Sequence, residues 1–137
     1  MFRNIVVPVD LKHLEVLNKA IIVAADMARN YDATVTMVAV AAAAPSEVAH
    51  NPAELNDVLE AFAASKSDEL GIQFKSWAAI TPDPAVDLEK VLNKVTHELK
   101  ADLVVMASHV PTFRDHFMSS HTGYLATHTD VSVFIVR

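Results

Sequence analysis

Three features of this 137-residue sequence predict an α/β fold built on a mostly parallel sheet. Short apolar and β-branched runs alternate with longer segments whose apolar residues recur at helical spacing. The run Asp102-Leu103-Val104-Val105-Met106-Ala107 is apolar almost throughout, as in a strand buried on both faces. No internal repeat or low-complexity tract disturbs the order βα βα βα βα β. That order requires right-handed crossovers and puts helices on both faces of the sheet. The length suits one domain over residues 1–137, with a core that needs no metal or disulfide.

The first strand is read over Phe2 to Val9, where Ile5, Val6, Val7 and Val9 form a short apolar run ending at Asp10. Pro8 has no amide hydrogen and so belongs near the strand's end. From His13 to Asn30, Leu14, Leu17, Ile21, Ala24, Ala25 and Ala28 make one buried helical stripe, with Glu15, Lys19 and Arg29 on its back. Tyr31-Asp32 ends that helix. Ala33 to Val40 is rich in β-branched residues and reads as the second strand. Ala41 to Pro52 has no period and is read as a mobile loop long enough to act as a lid. A helix follows to Leu70, with Asn51 as N-cap, Pro52 at its opening and Gly71 as its stop. Ile72 to Ile80 alternates loosely, which suits an edge strand. Asp83 or Thr81 caps a helix from Ala85 to Lys100, striped by Leu88, Val91, Leu92, Val95 and Leu99. After the fourth strand, Phe113, Phe117, Tyr124 and Leu125 keep helical spacing, and Val131 to Val136 closes the chain as a strand.

Composition excludes several functions. Cysteine is absent, which removes disulfides, thiolate metal sites and cysteine nucleophiles and fits a reducing, cytoplasmic setting. No apolar run reaches membrane-spanning length, and Met1-Phe2-Arg3-Asn4 lacks a signal peptide's layout. A net charge of −6 without a block of Lys or Arg argues against a nucleic-acid surface, because neutralising phosphates takes clustered cations.

The chemistry-bearing residues gather at strand ends. Asp10 and Ser108-His109 close the first and fourth strands, and if the sheet reverses direction between those strands they share one crevice. A carboxylate there accepts hydrogen bonds from an adenine amine or a ribose hydroxyl. Ser108, Ser119, Ser120 and Thr122 offer hydroxyl and amide donors to phosphate oxygens. Asp10 is read equally well as a helix N-cap, and the serines as turn and capping residues.

Val6-Val7-Pro8-Val9-Asp10, Asp102 to His109 and the closing Val131 to Arg137 resemble the universal stress protein family over essentially the whole chain. The order Ala-Ser-His-x-Pro from Ala107 to Pro111 is similar to a subgroup in which alanine replaces the first glycine of the common Gly-Ser-His-Gly turn. The resemblance implies an open five-stranded parallel sheet of order 3-2-1-4-5, of the adenine nucleotide alpha hydrolase-like, Rossmann-like type. It also implies a nucleotide crevice between strands one and four and a homodimer through the C-terminal strand 131–136. Asp10 and Val40 then match positions that hold the adenosine part, and Pro8 and Val9 count among the nucleotide-binding residues. Ala107 and Val110 match the two early glycines of the phosphate turn, with Ser108 and His109 between them. Ser119 and Ser120 match the later Gly-Ser pair, followed by His121 and Thr122; His121 stands where that subgroup tends to have asparagine. The implied ligand is ATP or AMP, with Mg2+ only alongside ATP, and any catalysis is at most very slow ATP hydrolysis.

Ala107, Val110 and Ser119 depart from the glycine pattern, and the chain has only two glycines, Gly71 and Gly123. Left-handed backbone at a non-glycine residue costs roughly 1 to 2 kcal/mol. Three such sites rival a few charge-assisted hydrogen bonds at about 1.5 to 3 kcal/mol each. Two functions therefore stand side by side: a regulatory domain binding an adenine nucleotide, and an interaction module that keeps the fold without the ligand. A serine hydrolase is disfavoured because no Gly-x-Ser-x-Gly elbow occurs and neighbouring Ser108 and His109 point to opposite faces in extended chain. His109, His116, His121 and His128 are read as surface or satisfied histidines rather than metal ligands; His121 and His128 lie about two helical turns, roughly 10 Å, apart. A phosphoacceptor receiver would need further acids beside Asp10 at strand ends.

Overall fold

The computed structural model describes residues 1–108 and 125–137. In chain order these form β1 (Asn4–Pro8), α1 (Leu14–Tyr31), β2 (Thr34–Ala41), α2 (Pro52–Leu70), β3 (Phe74–Ile80), α3 (Pro84–Glu98), β4 (Leu103–Ala107) and β5 (Ser132–Val136). Of the segment expected to be helical after Pro111, residues 125–128 are described and are helical. The strands make one five-stranded sheet of order β3-β2-β1-β4-β5, and every pairing is parallel. This is the Rossmann-like α/β architecture that the alternating sequence predicts.

Side-chain alternation along the strands divides the interior into two cores. Ile5, Val7, Val35, Met37, Leu103 and Val105 pack with Leu17, Ile21, Ala24 and Ala28 of α1 and Leu59 and Ala63 of α2. Val6, Val38, Val104 and Met106 point the other way, onto Leu92 and Val95 of α3 and onto Leu125. Both faces of β1, β2 and β4 are thus covered, so these strands read as unbroken apolar runs. Each fully buried Val, Leu or Ile stabilises by about 1.5–3 kcal/mol, and the weight of that burial lies under the three central strands. β3, at one edge, keeps Lys75 and Trp77 exposed, as its looser alternation predicts.

Element ends follow local chemistry. β1 stops at Pro8, and the Val9 amide then donates to the Val38 carbonyl at 2.8 Å, so the missing Pro8 amide interrupts nothing. Asp32, left-handed at φ 53°, closes α1 after Tyr31, at the expected Tyr31-Asp32 stop. Asn51 caps α2 by accepting the Glu54 amide at 2.9 Å, with Pro52 in the first turn. Gly71, at φ 66°, ends α2 with its amide on the Ser67 carbonyl. The Ser67 hydroxyl then accepts the Phe74 amide at 2.9 Å, which delays β3 from the expected Ile72 to Phe74. At α3 the cap is Asp83, accepting from the Ala85 amide, and Pro84 opens the helix. Thr81 instead donates its hydroxyl to Asp87 at 2.9 Å.

Candidate functional site

β1 pairs with β2 on one side and β4 on the other, so the chain runs outward to β3 and then crosses back to β4. The loops leaving β1 and β4 diverge to opposite faces at such a reversal, and a crevice opens at the strands' carboxyl ends. Here it is a cavity of about 500 Å3, within the range of small-molecule sites. Pro8, Val9, Asp10, Val40 and Ala107 all line it, so five of the residues expected around a nucleotide are brought together. The residues that end the first strand and Met106 and Ala107 at the end of the fourth line one cleft.

Asp10 is fixed by its own turn. Its Oδ1 accepts the Lys12 amide at 2.9 Å, its carbonyl accepts the His13 amide at 3.0 Å, and its Oδ2 lies 3.0 Å from His13 Nδ1. This is an Asx turn ahead of the helix. The N-cap of α1 is His13, which makes no side-chain capping bond, so the capping role for Asp10 is not what the structure shows. A carboxylate offers about four acceptor sites, and these contacts occupy two. The half-buried group therefore keeps capacity for donors on a bound molecule.

Ser108 is placed differently from its neighbour Ala107. Its amide donates to the Val136 carbonyl at 2.8 Å, continuing the β4–β5 ladder, and the described lining of the cavity stops at Ala107. The sheet thus consumes the Ser108 amide and leaves its hydroxyl as the group with chemistry to offer. His109, Val110, Ser119, Ser120, His121 and Thr122 lie outside the described residues, as does His116. Among the described residues no three His, Asp or Glu side chains gather as a metal site.

Other lining residues were not singled out from sequence. The β2–α2 loop contributes Ala42, Ala44, Pro45, Ser46 and Val48, and α2 contributes Leu55. The cap Asp83 lines the cavity too, and α3 contributes Pro84, Ala85, Leu88 and Leu92. Topology held the missing signal: every helix in a parallel βα unit starts at the strands' carboxyl edge, so the start of α3 had to border the same crevice. The loop read as a lid forms a wall of the cavity, held by the Ser46 amide on the Ala49 carbonyl at 2.8 Å. Its exit is pinned where the His50 amide donates to Glu54 Oε2 at 2.8 Å. That backbone bond, then the His50 ring, hold the Glu54 carboxyl below its ordinary value. The walls are mainly apolar; the charged groups among the described lining are Asp10, Lys12 and Asp83.

The model of the universal stress protein family matches residues 1–137. The chain belongs to the universal stress protein family. Solved structures of family members have the same fold. A universal stress protein in complex with cAMP is 18% identical, with 99% of this chain and 97% of that chain aligned at a TM-score of 0.70. The universal stress protein from Archaeoglobus fulgidus in complex with dAMP is 17% identical, with 98% of each chain aligned and a TM-score of 0.68. A family protein from Arabidopsis thaliana with AMP bound is 14% identical, covering 98% of this chain and 90% of that one, at a TM-score of 0.66. A comparison with curated protein sequences gives no match. Within this universal stress protein domain the crevice lies at the β1/β4 reversal, walled by α3 on one side and the β2–α2 loop on the other.

Proposed function

We propose that this universal stress protein domain is a regulatory module that binds an adenine nucleotide in the crevice between β1 and β4. The observation that carries the reading is the cavity of about 500 Å3 that joins Asp10, Val40 and Ala107 at the sheet's reversal point. Its apolar walls suit a flat aromatic base, and the Asp10 carboxylate suits amine or hydroxyl donors on base or ribose. Relatives solved with cAMP, dAMP and AMP support the class of ligand. Under this reading AMP or ATP occupies the site, Mg2+ enters only with ATP, and hydrolysis is very slow or absent. Phosphates meet the segment from Ser108 to Val110 and from Ser119 to Thr122. The reading assigns the chain to the alanine-bearing branch of the family, supported by the order Ala107-Ser108-His109-Val110-Pro111. The domain works in the cytoplasm as a homodimer, with no nucleic-acid partner.

Isothermal titration of ATP, AMP and an unrelated nucleotide tests this directly. Heat with the adenine nucleotides alone is the expected result; no heat with any of them removes the ligand. A second reading, an interaction module without nucleotide, draws on two observations: Val110 and Ser119 stand where glycine is expected, and the Ser108 amide is spent on Val136. Mass spectrometry of gently purified protein separates the two, since co-purified nucleotide is expected only under the first.

A further inference from the structure

We infer that Lys12 is a specificity-determining residue of the crevice, holding the anionic end of the ligand and selecting phosphorylated nucleosides over free ones. The inference rests on the nucleotide reading and sharpens it. Among the described residues, carboxylates outnumber cations on the lining that a phosphate would meet. The chain carries a net charge of −6, and two of the three charged groups on the described lining are the carboxylates of Asp10 and Asp83. A backbone cradle offers less relief here than in a glycine-rich turn. Ala107, Val110 and Ser119 replace glycine, and the Ser108 amide already bonds Val136 at 2.8 Å.

Lys12 is the cation on that lining among the described residues. Its main chain is held in place, because its amide donates to Asp10 Oδ1 at 2.9 Å. Its ammonium makes no ion pair among the described residues, although two carboxylates line the same cavity. The geometry is therefore a fixed base with an exposed charged arm on the cavity's lining. A lysine of this kind reaches a phosphate as a point charge on a flexible stem, needing no special backbone conformation. Asp10 and Lys12 then divide the ligand between them: the carboxylate takes hydroxyl or amine donors, and the ammonium takes the phosphate. Since Lys12 is exposed, added salt is expected to weaken its contribution.

The test is titration of AMP and of adenosine into wild type, Lys12→Met and Lys12→Arg. Methionine keeps the Lys12 amide and the length of the stem and removes the ammonium group. Wild type is expected to bind AMP about tenfold more tightly than adenosine, equivalent to about 1.4 kcal/mol. Lys12→Arg keeps most of that ratio, and Lys12→Met brings it close to one. A ratio unchanged in Lys12→Met overturns the role of Lys12 while leaving the nucleotide reading intact. Wild type that binds neither compound overturns the nucleotide reading and, with it, this inference.

Discussion

Asp102 sits just ahead of β4 and ties it to the start of β1 by three bonds. Its carboxylate accepts the Arg3 amide at 2.8 Å and the Asn4 amide at 3.1 Å, and its own amide donates to the Asn4 carbonyl at 3.0 Å. The Asn4 side chain adds a bond to the Lys100 carbonyl at 3.0 Å. These contacts lie at the amino ends of the two strands whose carboxyl ends frame the crevice. They set the strand pairing from the far side. Hydrogen bonds to a charged group contribute about 1.5–3 kcal/mol, and partial exposure lowers that figure. Asp102→Ala is therefore expected to destabilise by about 2 kcal/mol in urea denaturation, with an unchanged slope. A loss below about 0.5 kcal/mol would show that the ladder needs no carboxylate there. At this scale the sequence was only half legible. Asp102 reads as the head of a strand, and Asp10 reads equally as a ligand contact or a cap, because either carboxylate's partners are decided by which backbone amides the fold brings within reach.

Elements were legible where their signals are local. Asn51-Pro52 and Gly71 bracket α2 in the sequence and also in the structure, since a cap, a fixed φ and a left-handed stop each act within one turn. Gly71 isolates the backbone term. A Cβ added there would meet nothing within 4 Å, yet its φ is +66°, so the cost of a side chain is conformational. Left-handed geometry costs roughly 1–2 kcal/mol, offset by about 0.4–1 kcal/mol from the stiffer unfolded chain. Gly71→Ala should lower stability by about 1 kcal/mol in chemical denaturation. A neutral result would mean that the chain escapes left-handed geometry by re-forming the turn. β3 began later than its alternation suggested because the Ser67 hydroxyl, seven residues away, takes the Phe74 amide. No periodic pattern carries that bond.

For the whole molecule, the two sheet edges differ. β3 exposes Trp77 at 37% and Ile80 at 40% but carries the charged Lys75 between them and the strand's start, whereas β5, Ser132–Val136, exposes Phe134 at 44% and Ile135 at 41% and has no charged residue of its own. Apolar groups beside unpaired strand amides are a template for pairing with another copy. Under the homodimer proposal, sedimentation of the wild type gives a species of about twice the 14.9 kDa chain mass. Ile135→Lys, an edge position already exposed, should return it to a single-chain species without loss of secondary structure. A wild type that sediments only as the 14.9 kDa chain rules the dimer out.

By itself the sequence determined the kind and order of the described elements, and hence a parallel sheet with two cores. Apolar periodicity and caps are properties of residues a few positions apart, and they survive without knowledge of the fold. Only the tertiary structure decided the walls of the crevice and the use of each polar group in it. Asp83 and Leu88 joined Asp10 because a crossover returns the chain to the same sheet edge, and the Ser108 amide went to Val136 because β4 and β5 pair in one register. Both facts depend on contacts between segments distant in sequence, whose geometry is set only when the strands are side by side.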